Sequence, residues 1–452
     1  MSTAHPRQAP GRAIGVTPRA ALVDPSRGRP LRIGLLTHSV NPRGGVVHTL
    51  ELADALRARG HEVTVFAPAR GGERLFRATR AQVSLAPLEE GRRPADTGSP
   101  MEAPSALHPL VASVGTRIDA MASHLREHPG LTGFDLLHSQ DSITANALAT
   151  LRDEGRIAGF VRTVHHLDEF EQATLAAWQR RGVMAASQLL CVSPLWQQIL
   201  RDGWGRSAEV VPNGVDTVRF NAMAQHGDEA LLRGLGVQPE GPVWLAVGGV
   251  EERKNSLRLL EAFALARTQT PEAQLVIAGG ASLLDHDDTQ RAFSTALRRH
   301  GFHQHRAHPE VLVTGPLPDA ALPALYRRAT ALAMPSLREG FGLAALEALA
   351  CGTPAIVSRI APFVDHFAPH EVLWADPLDT QDLAHALQRS LRPADTAPVR
   401  AAAAAVCRRF SWDRSAALHE AVYRAVLSLA VLQDAPFWPL SHPSPHPSDR
   451  HA

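Results

Sequence analysis

Short apolar runs rich in β-branched residues alternate with longer helix-like stretches from Leu31 onward: LRIGLLT, then VVHTLELADALRARG, then HEVTVFAP. This β-α-β rhythm predicts a parallel sheet covered by helices. It continues through FDLLHS from Phe134, GFVRTVHH from Gly159, SQLLCVS from Ser187 and AEVVPNG from Ala208. A second series follows: PVWLAVGG from Pro242, a helix from about Lys254, AQLVIAGG from Ala273, EVLVTG from Glu310, ATALAMPS from Ala329 and TPAIVS from Thr353. Several runs end in Gly or Ser where strand gives way to loop, and open α/β sheets bind ligands at the carboxyl ends of their strands. The pattern predicts two doubly wound, Rossmann-like α/β domains facing a central cleft.

The rhythm breaks in three places. EGRRPADTGSPMEAPSALHP, from Glu90 to Pro109, is dense in turn formers and charge and reads as a surface loop or inserted flap. The first thirty residues are rich in Pro, Arg and Ala without the continuous apolar core of a secretory signal, and read as a flexible leader. Beyond Gln433 the chain is rich in Pro, His and Ser and reads as a disordered tail. The expected organisation is a leader at 1–30, a first domain at 31–211, a second at 212–409, a helix at 410–433 crossing back onto the first domain, and a tail at 434–452.

With 452 residues, 44% of them hydrophobic, the chain is long enough for two cores. Lys+Arg 46 against Asp+Glu 45 leaves a formal charge of +1, so no global field points to nucleic acid or an anionic membrane, and any anion site must be local. The three cysteines, Cys191, Cys351 and Cys407, show no metal-type spacing and suit a reducing compartment, so a cytoplasmic location is expected. No run approaches the roughly 20 apolar residues that span a bilayer; peripheral membrane contact stays open.

Chemistry concentrates in SLREGFGLAALEALACGTPAIVS, beginning at Ser336. After a short strand, LREGFG forms a turn whose glycines let backbone approach a ligand, and a helix begins near Gly342. A helix start offers N–H groups and a positive dipole end that suit phosphate. Glu339 lies just outside that helix and Glu347 inside it, separated by roughly 12 Å along the axis, about the span of a sugar-diphosphate-ribose. A carboxylate amid the apolar neighbours of Glu347 needs a partner. Local physics leaves two readings: one carboxylate at each end of a nucleotide sugar, or a buried ion pair with an arginine plus a Glu339 that caps the helix.

Other stretches add weaker signals. NPRGG, Asn41 to Gly45, places Gly44 and Gly45 at a helix start without a dinucleotide fingerprint. GGVEERKN, Gly248 to Asn255, puts Arg253 and Lys254 at a strand-to-helix junction, where cations suit a diphosphate leaving group or form an ordinary basic turn. His165 and His166 end a strand run; adjacent strand residues face opposite ways, which argues against a shared metal. His165 is left as a ligand contact or a histidine satisfied by local backbone. Asp285, His286, Asp287 and Asp288 read as a solvated turn. PNGVD, from Pro212, reads as an interdomain hinge in which Asn-Gly tolerates positive φ.

Together E-G-F-G-L-x-x-L-E-A-x-A-x-G-x-P, NPRGGVVHTLELADALRARGHEVTVFAP, FDLLHSQD, VVPNGVDTVRF, GGVEERKN and SWDRSAA strongly resemble the retaining glycosyltransferases of the GT-B fold, in particular family 4, over roughly Leu31 to Val431. The resemblance implies that Glu347 binds the ribose of a nucleotide-sugar donor and Glu339 the hydroxyls of the transferred sugar. It places Gly44, Gly45, Gly340, Phe341, Gly342 and Leu343 around the donor, His165 near its sugar, and Lys254 with Arg253 on its phosphates. Many members carry an arginine where this chain has Gly248 and Gly249, so Arg253 is the candidate substitute. The first domain is then the acceptor side and the second the donor side. The implied reaction is sugar transfer with retention to an unidentified acceptor, with no metal or cofactor and no nucleic acid partner. The alternatives are a sugar-nucleotide epimerase or hydrolase on the same fold, or a non-catalytic nucleotide-sugar-binding protein.

Overall fold

Strands buried on both faces are apolar along most of their length, and the apolar runs of both series form such strands in the computed structural model. It describes residues 28–88, 108–280, 287–302 and 309–432. The leader at 1–27, most of the segment from Glu90 to Pro109, Asp285, His286 and the tail therefore lie outside the described residues. The first domain contains β1 (Arg32–Leu36), β2 (Glu62–Ala69), β3 (Gln82–Pro87), β4 (Leu136–Ser139), β5 (Val161–Val164), β6 (Gln188–Cys191) and β7 (Glu209–Val210). They pair in the order β3-β2-β1-β4-β5-β6-β7, all parallel. In the second domain, β8 (Val243–Val247), β9 (Gln274–Ala278), β10 (Val311–Gly315), β11 (Ala331–Met334), β12 (Ala355–Ser358) and β13 (Leu373–Ala375) pair in parallel as β10-β9-β8-β11-β12-β13.

Strand order reverses at β1/β4 and at β8/β11, and the crevice at such a switch point is where open sheets hold ligands. The loops leaving β1 and β8 are the ones that carry NPRGG and GGVEERKN. Two strands, β3 and β13, were not anticipated. β3 is an edge strand with a single buried residue and β13 is three residues long, so neither supplies the sustained apolar run on which the other strands were recognised.

Two chain segments join the domains and run side by side: Val215 and Ser411 form a parallel bridge, and the Val215 N–H donates to the Phe410 carbonyl at 3.0 Å. Gly214 serves close approach, because a Cβ there would lie 2.2 Å from the Trp412 nitrogen. The segment lies between the two sheets as expected, but not by virtue of a left-handed turn, since neither Asn213 nor Gly214 has positive φ. The helix Trp412–Leu432 packs against the helix Gly44–Ala58, with Trp412, Ala416 and Tyr423 in one core cluster with Leu50, Leu52 and Leu56. Asp287 and Asp288 open the helix Asp287–Arg299, so the solvated-turn expectation is also corrected there; carboxylates in a first turn favour a helix through its dipole.

Candidate active site

The Ser336 stretch folds as its residue types require. Gly342 caps the helix Leu343–Ala350 with φ +101°, a conformation that favours glycine, and a Cβ on it would meet the Phe363 ring at 2.5 Å. Gly340 passes so close to the first domain that a Cβ would lie 2.5 Å from the His165 carbonyl oxygen. Phe341 is buried against His366 and Phe410, with ring centroids 4.4 and 5.6 Å away, so its side chain anchors the loop and only its backbone can face a ligand. Leu343 is half-buried and packs against core clusters of both domains.

Glu339 projects from this loop onto the turn after β8. Its Oε2 lies 2.8 Å from Lys254 Nζ and 3.5 Å from Arg253 Nη1, and accepts from Ser336 Oγ at 3.3 Å. Its Oε1 accepts from the Gly340 N–H, also at 3.3 Å. Burial pushes the Glu339 carboxyl up, but Lys254 and Arg253 outweigh it and hold it at about 2. Asn255 fixes the turn by donating to the carbonyls of Pro335 at 3.1 Å and Pro377 at 2.7 Å. Gly248 and Gly249 both have positive φ, and their N–H groups converge on the Ala278 carbonyl. A side chain is strained at either position, and the second cation beside Glu339 is Arg253.

Glu347 is buried on the second turn of its helix, and its partner is a hydroxyl: Tyr326 Oη donates to Oε2 at 2.8 Å. Burial pushes the Glu347 carboxyl up, while the Tyr326 bond and the fields of Arg219 and Arg77 pull it back. The arginine ion pair weighed from sequence is thus replaced by a tyrosine bond with arginine at longer range.

Across the cleft, His165 follows β5. Its Nε2 bonds Gln140 Oε1 at 3.1 Å, its ring meets His48 edge-on at 4.6 Å, and burial holds its basicity well below the ordinary 6.5. A Cβ on Gly45 would stand 3.7 Å from the His165 ring, whereas one on Gly44 would meet no protein atom within 4 Å. The ring and the start of the Gly44–Ala58 helix therefore adjoin. His166 points elsewhere, 3.3 Å from Asp168, and both histidines lie just past the end of β5. Among the described residues no group of three or more His, Cys, Asp or Glu could hold a metal ion.

The fold thus brings Glu339, Lys254, Arg253, His165, Gly45 and Gly340 to one place, with Glu347 on the second turn of the helix that follows. Sequence reasoning missed two contributors. Trp196 donates from its indole Nε1 to the Gly340 carbonyl at 3.2 Å, and Tyr326 holds Glu347. Neither carries a local signal, since the partners are 144 and 21 residues away.

Residues 42–219 match the family described as Glycosyltransferase Family 4, and residues 228–402 the one described as Glycosyl transferases group 1. Over 419 residues the chain is 30% identical to a D-inositol 3-phosphate glycosyltransferase of Acidothermus cellulolyticus, covering 85% of this chain and 86% of that protein. It is 27% identical over 215 residues to mannosylfructose-phosphate synthase of Agrobacterium fabrum, 44% of either chain. Among solved structures, sucrose-phosphate synthase from Thermosynechococcus elongatus superposes with a TM-score of 0.66 at 22% identity, over 88% of this chain and 100% of that one. Anabaena Alr3699/HepE in complex with UDP-glucose gives 0.62 at 18% identity, over 89% and 100%.

Proposed function

The chain belongs to the group 1 glycosyltransferases of the GT-B fold, and from that premise we propose that it moves a sugar from a nucleoside diphosphate sugar to an acceptor with retention and without a metal ion. The observation that carries this reading is the Glu339 carboxylate, clamped by Lys254 and Arg253 on one oxygen in a loop whose next residue, Gly340, adjoins His165. Oε2 is committed to the two cations, and Oε1, which accepts from the Gly340 N–H, keeps a second lone pair for a hydroxyl of the transferred sugar. The start of the Leu343–Ala350 helix offers N–H groups to the diphosphate, and Glu347, oriented by Tyr326, accepts from the ribose.

In this reading the bond between the anomeric carbon and the diphosphate oxygen breaks with its electron pair passing to the phosphate. The acceptor hydroxyl bonds to the same face of the sugar, and its proton passes to the departing phosphate oxygen. Lys254, Arg253 and the helix start stabilise the charge that develops there. His165, held neutral by burial, places a polar ring edge beside the sugar without adding a competing cation. Cation chemistry supplied by side chains supports metal independence. The thiols of Cys191, Cys351 and Cys407 are free and buried, which supports a reducing, cytoplasmic setting, and among the described residues no helix is long and apolar enough to cross a membrane.

Calorimetric titration with UDP, GDP and ADP in EDTA tests the donor half. Micromolar binding of one of them, about −8 kcal/mol, that is lost in Glu347→Ala and followed by anomerically retained product is the expected result. Binding that appears only when a divalent ion is restored would overturn metal independence.

A further inference from the structure

We propose that Gln140 is a positioning residue of the transfer site: its side-chain carbonyl keeps the proton of His165 on Nε2, so that the bare Nδ1 is the nitrogen the ring turns toward the transferred sugar. The inference rests on the transferase reading and deepens it, because it gives the His165 ring a polarity that its place alone does not.

Geometry aims the ring. Gln140 directly follows β4, beside the switch point, and its backbone N–H donates to the Leu36 carbonyl of β1 at 3.0 Å. Its side chain is buried, and Oε1 lies 3.1 Å from His165 Nε2. The next ring atom, Cδ2, is the one that a Cβ on Gly45 would meet at 3.7 Å. The Nε2–Cδ2 edge of the imidazole therefore faces the first domain. In a five-membered ring Nδ1 stands opposite that edge, so it points away from Gln140 and Gly45. The residue is half-buried, and its carbonyl adjoins Gly340 of the second domain.

The neighbours decide which nitrogen carries the proton. Burial holds His165 well below its ordinary basicity, so the ring is neutral, with one N–H and one lone pair. A carbonyl oxygen only accepts. With Oε1 against Nε2, the proton belongs on Nε2 and the lone pair on Nδ1. The amide nitrogen of Gln140 lies 3.3 and 3.4 Å from the two ring nitrogens of His138. That ring is pinned by Tyr423 Oη at 2.7 Å and Thr163 Oγ1 at 2.8 Å, and burial keeps it neutral too. It therefore has a lone pair to meet an amide N–H, which suits this direction of the amide. The reversed amide would put an N–H against His165 and move the His165 proton to Nδ1, so the two directions differ in an observable.

The tautomer matters because the sugar turns electron-poor as its bond to the diphosphate oxygen breaks. A lone pair fixed beside it is the negative end of a preorganised dipole, in place before the charge develops. An N–H at the same point would oppose that charge.

Two measurements on the full-length protein test this. The first is the nitrogen NMR spectrum of protein carrying isotope-labelled histidine at neutral pH, with the His165 signals identified by their loss in His165→Gln. The proton is expected on Nε2. Gln140→Met removes the carbonyl at similar size; a buried N–H without an acceptor is costly, so the proton should move to Nδ1, where water can accept it. Gln140→Glu still only accepts at this position and should keep the proton on Nε2. The second is cleavage of UDP-glucose with water as acceptor: kcat should fall about ten-fold in Q140M and largely recover in Q140E, with KM and UDP affinity within about two-fold of wild type. A proton on Nδ1 in the wild type, a Q140M spectrum identical to wild type, or a moved proton with unaltered kcat overturns the inference. Melting curves identify a variant that fails to fold, and the wild-type tautomer decides even then. If the wild type neither binds UDP nor cleaves UDP-glucose, the nucleotide-sugar reading suffers, while the tautomer, read without substrate, still decides the part played by Gln140.

Discussion

The indole N–H of Trp196, in the first domain, donates to the carbonyl of Gly340, in the loop of the second domain that carries Glu339. Trp196 is itself buried, and the bond it makes across the cleft is partly shielded from solvent. The neighbouring cross-domain ion pair, Arg338 with Glu169 at 3.0 Å, joins two exposed side chains and contributes little for that reason. This partly buried hydrogen bond, with the close approach of Gly340 to the His165 carbonyl, holds the Glu339 loop against the first domain.

Trp196→Phe keeps an aromatic ring and removes the donor. Loss of this partly buried hydrogen bond costs about 1–2 kcal/mol, so kcat should fall about ten-fold while nucleotide affinity, governed by Glu347, stays within two-fold. Arg338→Ala should leave both nearly unchanged. Steady-state kinetics beside UDP titration checks this, and an unaltered kcat in W196F would reduce the bond to packing.

Glu347 should make nucleotide affinity fall in acid at a higher pH than an ordinary glutamate would. Its carboxyl is raised above 4.5 by burial, and the protonated form loses the charge with which it accepts ribose hydroxyls. Tyr326→Phe removes the bond that favours the carboxylate, so the acid limb should move to still higher pH. In Glu347→Gln the limb should vanish with affinity low throughout. UDP titrations from pH 5 to 8 decide, and a limb that persists in E347Q assigns it to another group.

Much of this site was legible because its chemistry is local. Glu339 and Glu347 sit in one stretch of 23 residues, and the loops after β1 and β8 follow strands whose continuous apolar runs can be read directly. Contacts made across the fold left no trace in the chain: nothing near Trp196 announces a carbonyl 144 residues away. The family resemblance places Phe341 at the donor, and only packing shows its ring turned toward His366 and Phe410. Asn213 and Gly214 were read through turn propensity. The requirement at Gly214 comes instead from Trp412, nearly two hundred residues later.

Lys254 should govern the titration of Glu339. With Lys254 and Arg253 in place the carboxyl titrates at about 2 and stays ionised across the working range. Lys254→Met removes the closer cation and leaves burial opposed only by Arg253 and the Gly340 N–H, so the carboxyl should rise and an acid limb should appear in kcat/KM where the wild type has none. Part of the fall in activity should also persist at pH 8, because the leaving phosphate has lost a cation. A pH-rate profile for the two proteins checks the sign; a flat, uniformly lowered K254M profile would show that Lys254 serves the phosphate only.

Histidines buried across the domain core and the crossover helix should make the protein acid-labile. His48, His138, His165 and His419 lie in a chain of ring contacts of 4.6 to 5.7 Å, and Tyr423 of the crossover helix bonds His138 Nδ1 at 2.7 Å. Burial lowers all four, His419 to about 4. The unfolded chain takes up these protons below 6.5 and the folded one does not, so their contribution is complete above pH 6.5 and shrinks as pH falls, by about 1.4 kcal/mol per pH unit per histidine. Glu51 works the other way: burial raises it to about 7, so folding gains a proton between 4.5 and 7 and offsets about one histidine. The melting temperature should therefore drop steeply between pH 6.5 and 5. His419→Leu, which removes a ring whose Nε2 has no partner, should flatten that slope by about one proton, and Glu51→Gln should steepen it. Thermal melts of the three proteins across this range read the slopes directly, and parallel curves would show that the cluster does not titrate on unfolding.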